Sequence, residues 1–89
     1  MRKKNKTIIG VIGLGYVGLP LLLLINKKFK VYGFDIDKKK IDLLKKNQSY
    51  ISDISNKEIN LIKNKNFFNL RDSLFKIPEC NFLILCLPT

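Results

Sequence analysis

The residues of this chain best suited to chemistry are Gly13-Leu14-Gly15-Tyr16-Val17-Gly18, with Asp35 twenty positions after Gly15. Three glycines at this spacing suit a turn that holds phosphate by its backbone. Gly13 permits the tight strand-to-helix turn, Gly15 lets a pyrophosphate approach the main chain, and Gly18 lets the helix pack closely on the strand. The free N–H groups and positive dipole end of the helix then face the phosphates. Asp35, at the end of a second strand, accepts from the adenosine ribose hydroxyls and repels a 2′-phosphate, which favours NAD over NADP. Lys38, Lys39 and Lys40 nearby partly offset that charge, although Lys38 and Lys39 suit a solvated helix face. The bland reading is a glycine turn in a β-α unit that binds nothing.

Other chemistries are excluded by composition. The chain has no histidine and only two cysteines, Cys80 and Cys86, so a Cys/His zinc site and a histidine-based triad are both absent. Two cysteines do not make a dense disulfide framework, and a reducing, cytoplasmic setting is the simpler expectation.

A fingerprint of this kind acts only when strand, turn, helix and strand position it. Residues 7–12 form a β-branched apolar run that predicts a buried strand, and residues 19–27 predict a buried helix with a basic last turn. Residues 30–35 read as the second strand. Asp37 caps a helix through Lys46, with Ile41, Leu44 and Lys45 at helical spacing. Ser55 and Glu58 form a capping-box pattern for a third helix, with Ile59, Leu61 and Ile62 on its apolar side. Phe67-Phe68 is a short strand, Asp72 opens a short helix through about Lys76, and residues 81–87 read as a buried parallel strand. The expected fold class is α/β: a Rossmann-like parallel sheet with flanking helices, incomplete, the N-terminal half of a dinucleotide-binding domain. Residues 1–6 form a basic tail and residues 7–89 the partial NAD-binding domain.

The formal charge is +10, from 17 Lys and Arg against 7 Asp and Glu. Fifteen of the basic residues are Lys and the chain contains no Ala, a skew that an A/T-rich coding sequence produces. A solvated lysine surface therefore explains the charge better than a nucleic-acid or acidic membrane partner, and no RNA-binding or helix-turn-helix pattern is present. Residues 8–25 carry no charge, but Gly10, Gly13, Gly15, Gly18 and Pro20 all fall inside the run, which argues against membrane insertion.

The segments GVIGLGYVGLP (10–20), GFDID (33–37) followed by Lys40-Ile41, SYISDI (49–54) and CLPT (86–89) together resemble the amino-terminal part of the UDP-glucose/GDP-mannose dehydrogenase family. Enzymes of that family oxidise the C6 alcohol of a nucleotide sugar to a carboxylate with NAD. SYISDI is most similar to the branch acting on UDP-N-acetylhexosamines. The resemblance implies cofactor contacts at Tyr16 and Val17 in the turn and at Asp35. It also implies contacts at Lys40, near the adenosine end, and at Thr89, near the central part of NAD. On the bland reading Val17 is core, Lys40 a surface charge and Thr89 a helix cap. The chain departs from the family at Leu21, where Ala is usual, at Asn47-Gln48, where Gly precedes the Ser-Tyr-Ile segment, and at Leu87, where Val is commoner. Asn47 tolerates a left-handed backbone, so that turn is expected to survive.

The resemblance also implies that the family's catalytic cysteine, lysine and sugar-nucleotide domain lie beyond Thr89, so the chain alone is expected to transfer no hydride. Cys86, in an apolar strand with no base beside it, is not expected to be a nucleophile. A UDP-sugar is expected as substrate only in a full-length enzyme. The alternative is a standalone dinucleotide-binding or regulatory module. In strand order 3-2-1-4-5-6 residues 82–87 form a bare apolar edge, which predicts self-association.

Overall fold

A computed structural model of the chain describes residues 6–62 and 64–87. Four strands, β1 (Ile8–Ile12), β2 (Lys30–Asp35), β3 (Phe67–Asn69) and β4 (Phe82–Leu85), form one sheet in the order β3-β2-β1-β4. Every pairing is parallel: Gly10 lies opposite both Tyr32 and Leu83, and Phe34 opposite Phe68. Three helices, α1 (Gly18–Ile25), α2 (Lys38–Lys45) and α3 (Asn56–Asn60), and a 3-10 helix over Leu74–Glu79 make the crossovers. The Rossmann-like expectation is borne out.

Alternation along each strand divides the sheet into two faces. Val11, Val31 and Phe67 point into the main core, with Leu19 and Leu22 of α1, Ile41 and Leu44 of α2, and Ile59 of α3. Tyr32, Phe34 and Phe68 cluster on the other face, Tyr32 meeting Phe68 edge-to-face with centroids 5.1 Å apart. The 3-10 helix is tied to that face: Tyr32 Oη donates to Glu79 Oε1 at 2.8 Å, and Lys76 Nζ lies 5.4 Å from the Phe68 ring centroid.

Capping chemistry sets several boundaries as expected. Asp37 accepts from Lys39 N at 2.9 Å, and Ser55 and Glu58 form the reciprocal capping box. Asn47 ends the turn after α2 with φ +62°, the left-handed conformation that glycine commonly supplies.

Five expectations are corrected. α1 stops at Ile25, and Lys27 and Lys28 lie beyond it in a tight turn with bonds to Leu24 and Ile25 carbonyls, so the helix has no basic last turn. Though apolar all round, α1 buries Gly18, Leu19 and Leu22 and leaves Leu24 exposed. Leu61 is exposed: the buried face of this turn runs through Ile59 and Ile62, three apart, and Leu61, two positions after Ile59, points the other way. Asp72 opens no helix: Asn69 Oδ1 accepts from Arg71 N, which makes a turn, and the 3-10 helix starts at Leu74 with Pro78 inside it. The last strand is not buried on both faces, since Phe82 and Leu85 are 63% and 64% exposed at the sheet edge.

Candidate functional site

The site lies at the carboxyl end of the sheet, where the strand order reverses between β1 and β4. A cleft of about 690 Å³ opens there, lined by the glycine turn, by Asp35, Ile36, Asp37 and Lys40, and by Leu70, Cys86 and Leu87. That volume falls within the range of small-molecule and cofactor sites.

The three glycines do different things. Gly13 has φ +98°, and a Cβ there would lie 2.2 Å from the Cys86 carbonyl oxygen. A Cβ on Gly18 would lie 1.7 Å from the Gly13 oxygen, so the opening of α1 rests directly on the turn. At Gly15 a Cβ would meet nothing within 4 Å. Gly13 and Gly18 are therefore required by the protein's own packing, and only Gly15 leaves room for something outside it. Pro20 stands in the first turn of α1, where a missing N–H costs least.

Asp35 is the buried charged residue of the site, 7% exposed. Its Oδ2 accepts from Leu14 N and its Oδ1 from Asp37 N, each at 2.8 Å. A carboxylate offers about four lone-pair sites, so acceptor capacity remains for a ligand hydroxyl. Asp35 thus clamps the glycine turn to the β2–α2 loop as well as facing the cleft. Of the lysines that follow, Lys38 pairs with Asp42 at 3.7 Å on the exposed side of α2. Lys40 lies over the Tyr50 ring, Nζ 5.6 Å from the centroid, and borders the cleft.

The structure brings Gly13, Gly15, Tyr16, Val17, Asp35 and Lys40 to one cleft, with Gly18 directly behind the turn. Val17 is 69% exposed and Tyr16 79%, so neither is core. Thr89 lies outside the described residues. Cys86 is half-buried, and its carbonyl packs against Gly13. Among the described residues no group of three or more His, Cys, Asp or Glu is placed to hold a metal. Among them, no helix is long and apolar enough to cross a membrane.

Sequence reasoning missed four residues in and behind the site. Ile36, Leu70 and Leu87 give the cleft apolar walls. Each stands one or two residues past a strand end, and that position was the available signal. Tyr50 has no role of its own in the SYISDI pattern, yet its hydroxyl donates to the Leu14 carbonyl at 2.6 Å. Burial first, then the negative charges of Asp35 and Asp37, push its pKa upward, so it remains a donor.

Comparison with known proteins gives the family. Residues 7–89 match the model of the UDP-glucose/GDP-mannose dehydrogenase family, NAD binding domain. The chain is 38% identical over 81 residues to UDP-N-acetyl-D-glucosamine 6-dehydrogenase of Salmonella typhi, covering 91% of this chain and 18% of that protein. It is 37% identical over 82 residues to the enzyme of that name from Pseudomonas aeruginosa, with the same two shares, 91% and 18%. It is 34% identical over 81 residues to UDP-N-acetyl-D-mannosamine dehydrogenase of Methanococcus maripaludis, covering 89% of this chain and 18% of that protein. The chain thus spans under one fifth of the length of these relatives.

Proposed function

Since this chain belongs to the UDP-glucose/GDP-mannose dehydrogenase family and carries sequence of its NAD-binding domain, we propose that the cleft is the seat of NAD in a nucleotide-sugar 6-dehydrogenase. The observation that carries the reading is Gly15: of the three glycines in the turn, it alone faces open space, beside the opening of α1. Backbone N–H groups at a helix start hold phosphate well, because they lack helical acceptors and sit at the positive end of the dipole.

In this reading Gly13 and Gly18 shape the turn, and Gly15, Tyr16 and Val17 border the pyrophosphate. Asp35 receives the ribose hydroxyls, and its charge disfavours a 2′-phosphate. Lys40 stands at the adenosine end, with Ile36 and Leu70 as the apolar wall. Thr89 completes the set near the central part of the cofactor. Bound NAD supplies the hydride acceptor. Residues 7–89 act as part of the cofactor domain and residues 1–6 as a basic tail, in the cytoplasm. The substrate of the whole enzyme is a UDP-sugar, UDP-N-acetylglucosamine or a related compound, which fits the names of the relatives.

Titration calorimetry of the 89-residue chain with NAD and NADP tests the cofactor role. Saturable NAD binding, with NADP weaker, is expected; no NAD binding by folded protein overturns it. The chain by itself is expected to turn over no UDP-sugar, and NADH formed from NAD and UDP-N-acetylglucosamine would contradict that.

A further inference from the structure

Of the three glycines in the turn, Gly15 is the one without a steric lock. Gly13 and Gly18 are wedged against backbone, whereas the space around Gly15 is open. A peptide bounded by an unhindered glycine rotates at little steric cost. Two hydrogen bonds grip Leu14 from opposite ends: its N–H donates to Asp35 Oδ2 at 2.8 Å, and its C=O accepts from Tyr50 Oη at 2.6 Å. Its side chain is fully buried.

A trans peptide is planar, and its C=O and N–H point to opposite sides. A hydroxyl held on the Leu14 oxygen therefore turns the Gly15 N–H away from Tyr50. Leu14 and Gly15 line the cleft and Tyr50 does not, so the hydroxyl acts from behind the turn. Tyr50 is itself well placed to hold its ground. Ser49 N donates to Asn56 Oδ1 at 2.8 Å, Ile51 on its other side is buried, and Lys40 sits over the ring.

We infer that Tyr50 is a positioning residue for the dinucleotide: its hydroxyl sets the Leu14–Gly15 peptide so that the Gly15 N–H is presented to the pyrophosphate. This rests on reading the cleft as the NAD seat. Tyr50 touches the turn and not the ligand, and its effect falls on the phosphates alone.

Tyr50→Phe removes the hydroxyl and keeps the ring under Lys40. The Gly15 amide resonance of the free protein, and the affinities for NAD and for adenosine, are compared with those of the unchanged chain. The Gly15 resonance is expected to move, and NAD affinity to fall by about threefold to tenfold, the effect of one neutral hydrogen bond. Adenosine affinity stays the same. 4-Aminophenylalanine at position 50, which restores a donor, returns NAD affinity towards the original. If Tyr50→Phe does not fold, 4-fluorophenylalanine serves as the non-donor of matching size. An unmoved Gly15 resonance, or equal losses for NAD and adenosine, overturns the proposal. A chain that binds no NAD at all overturns the cofactor reading instead, and the Gly15 resonance still reports whether Tyr50 sets the peptide.

Discussion

Adding one methyl group at Gly15 and at Gly18 should have opposite consequences. At Gly15 the Cβ enters open space, and the backbone needs no positive φ, so Gly15→Ala should leave stability within about 0.5 kcal/mol. It should nevertheless weaken NAD binding at least about tenfold, because the methyl occupies the approach of the pyrophosphate. At Gly18 the Cβ would lie 1.7 Å from the Gly13 oxygen, which is main chain and cannot step aside. Gly18→Ala should cost about 4 kcal/mol or more, enough to unfold a marginal domain. Urea melts with parallel calorimetry separate the two, and a Gly15→Ala chain that melts like Gly18→Ala would refute the distinction. Asp35→Ala is expected to fail in both assays. It strands the Leu14 and Asp37 N–H groups, at about 1–3 kcal/mol for a buried one, and removes the ribose acceptor. Retained stability after that change would mean that water replaces the clamp.

Among the elements, the 3-10 helix is tied to the sheet through a titratable pair, Tyr32 and Glu79. The Tyr32 bond to Glu79 is the main cause of two shifts: the tyrosine is raised from 10.0 to about 12, and the glutamate lies below its ordinary 4.5. A raised tyrosine pKa means stability that is complete below pH 10.0 and lost as pH rises toward about 12. A depressed carboxylate pKa means stability that is complete above pH 4.5 and lost as pH falls through the lower folded value. The melting-temperature difference between the unchanged chain and Tyr32→Phe should therefore be largest between those limits and shrink beyond both. A difference that stays flat from well below pH 4.5 up to about pH 12 would count against the latch. This element was also the least legible in the sequence. β1 and β2 announce themselves through apolar runs bounded by glycine or aspartate, and Ser55 with Glu58 marks a helix start by local spacing alone. The 3-10 helix follows a turn made by Asn69 and holds Pro78 within it, two features that leave no periodic pattern. Tyr50 was hidden for a similar reason, since its partner Leu14 is 36 positions away. The glycine turn and Asp35 were readable because their chemistry demands fixed residue types at fixed spacing.

At the scale of the whole molecule, the sheet ends on β4, where Phe82, Leu83 and Leu85 are exposed, as is Leu87 just beyond it. Unpaired strand edges with apolar side chains template further pairing. Size-exclusion chromatography of the 89-residue chain is expected to show concentration-dependent self-association, which Leu83→Lys with Leu85→Lys should suppress. A clean monomer at high concentration would dismiss the idea, since the +10 charge would then suffice to keep copies apart.

The clamp made by Asp35 also bears on how this fold can evolve. One carboxylate joins the glycine turn to the loop that opens α2, and the same carboxylate faces the cleft. A lineage that drifts toward another nucleotide by replacing this acid must first accumulate stability elsewhere. Lys39, exposed on α2, carries no such double duty.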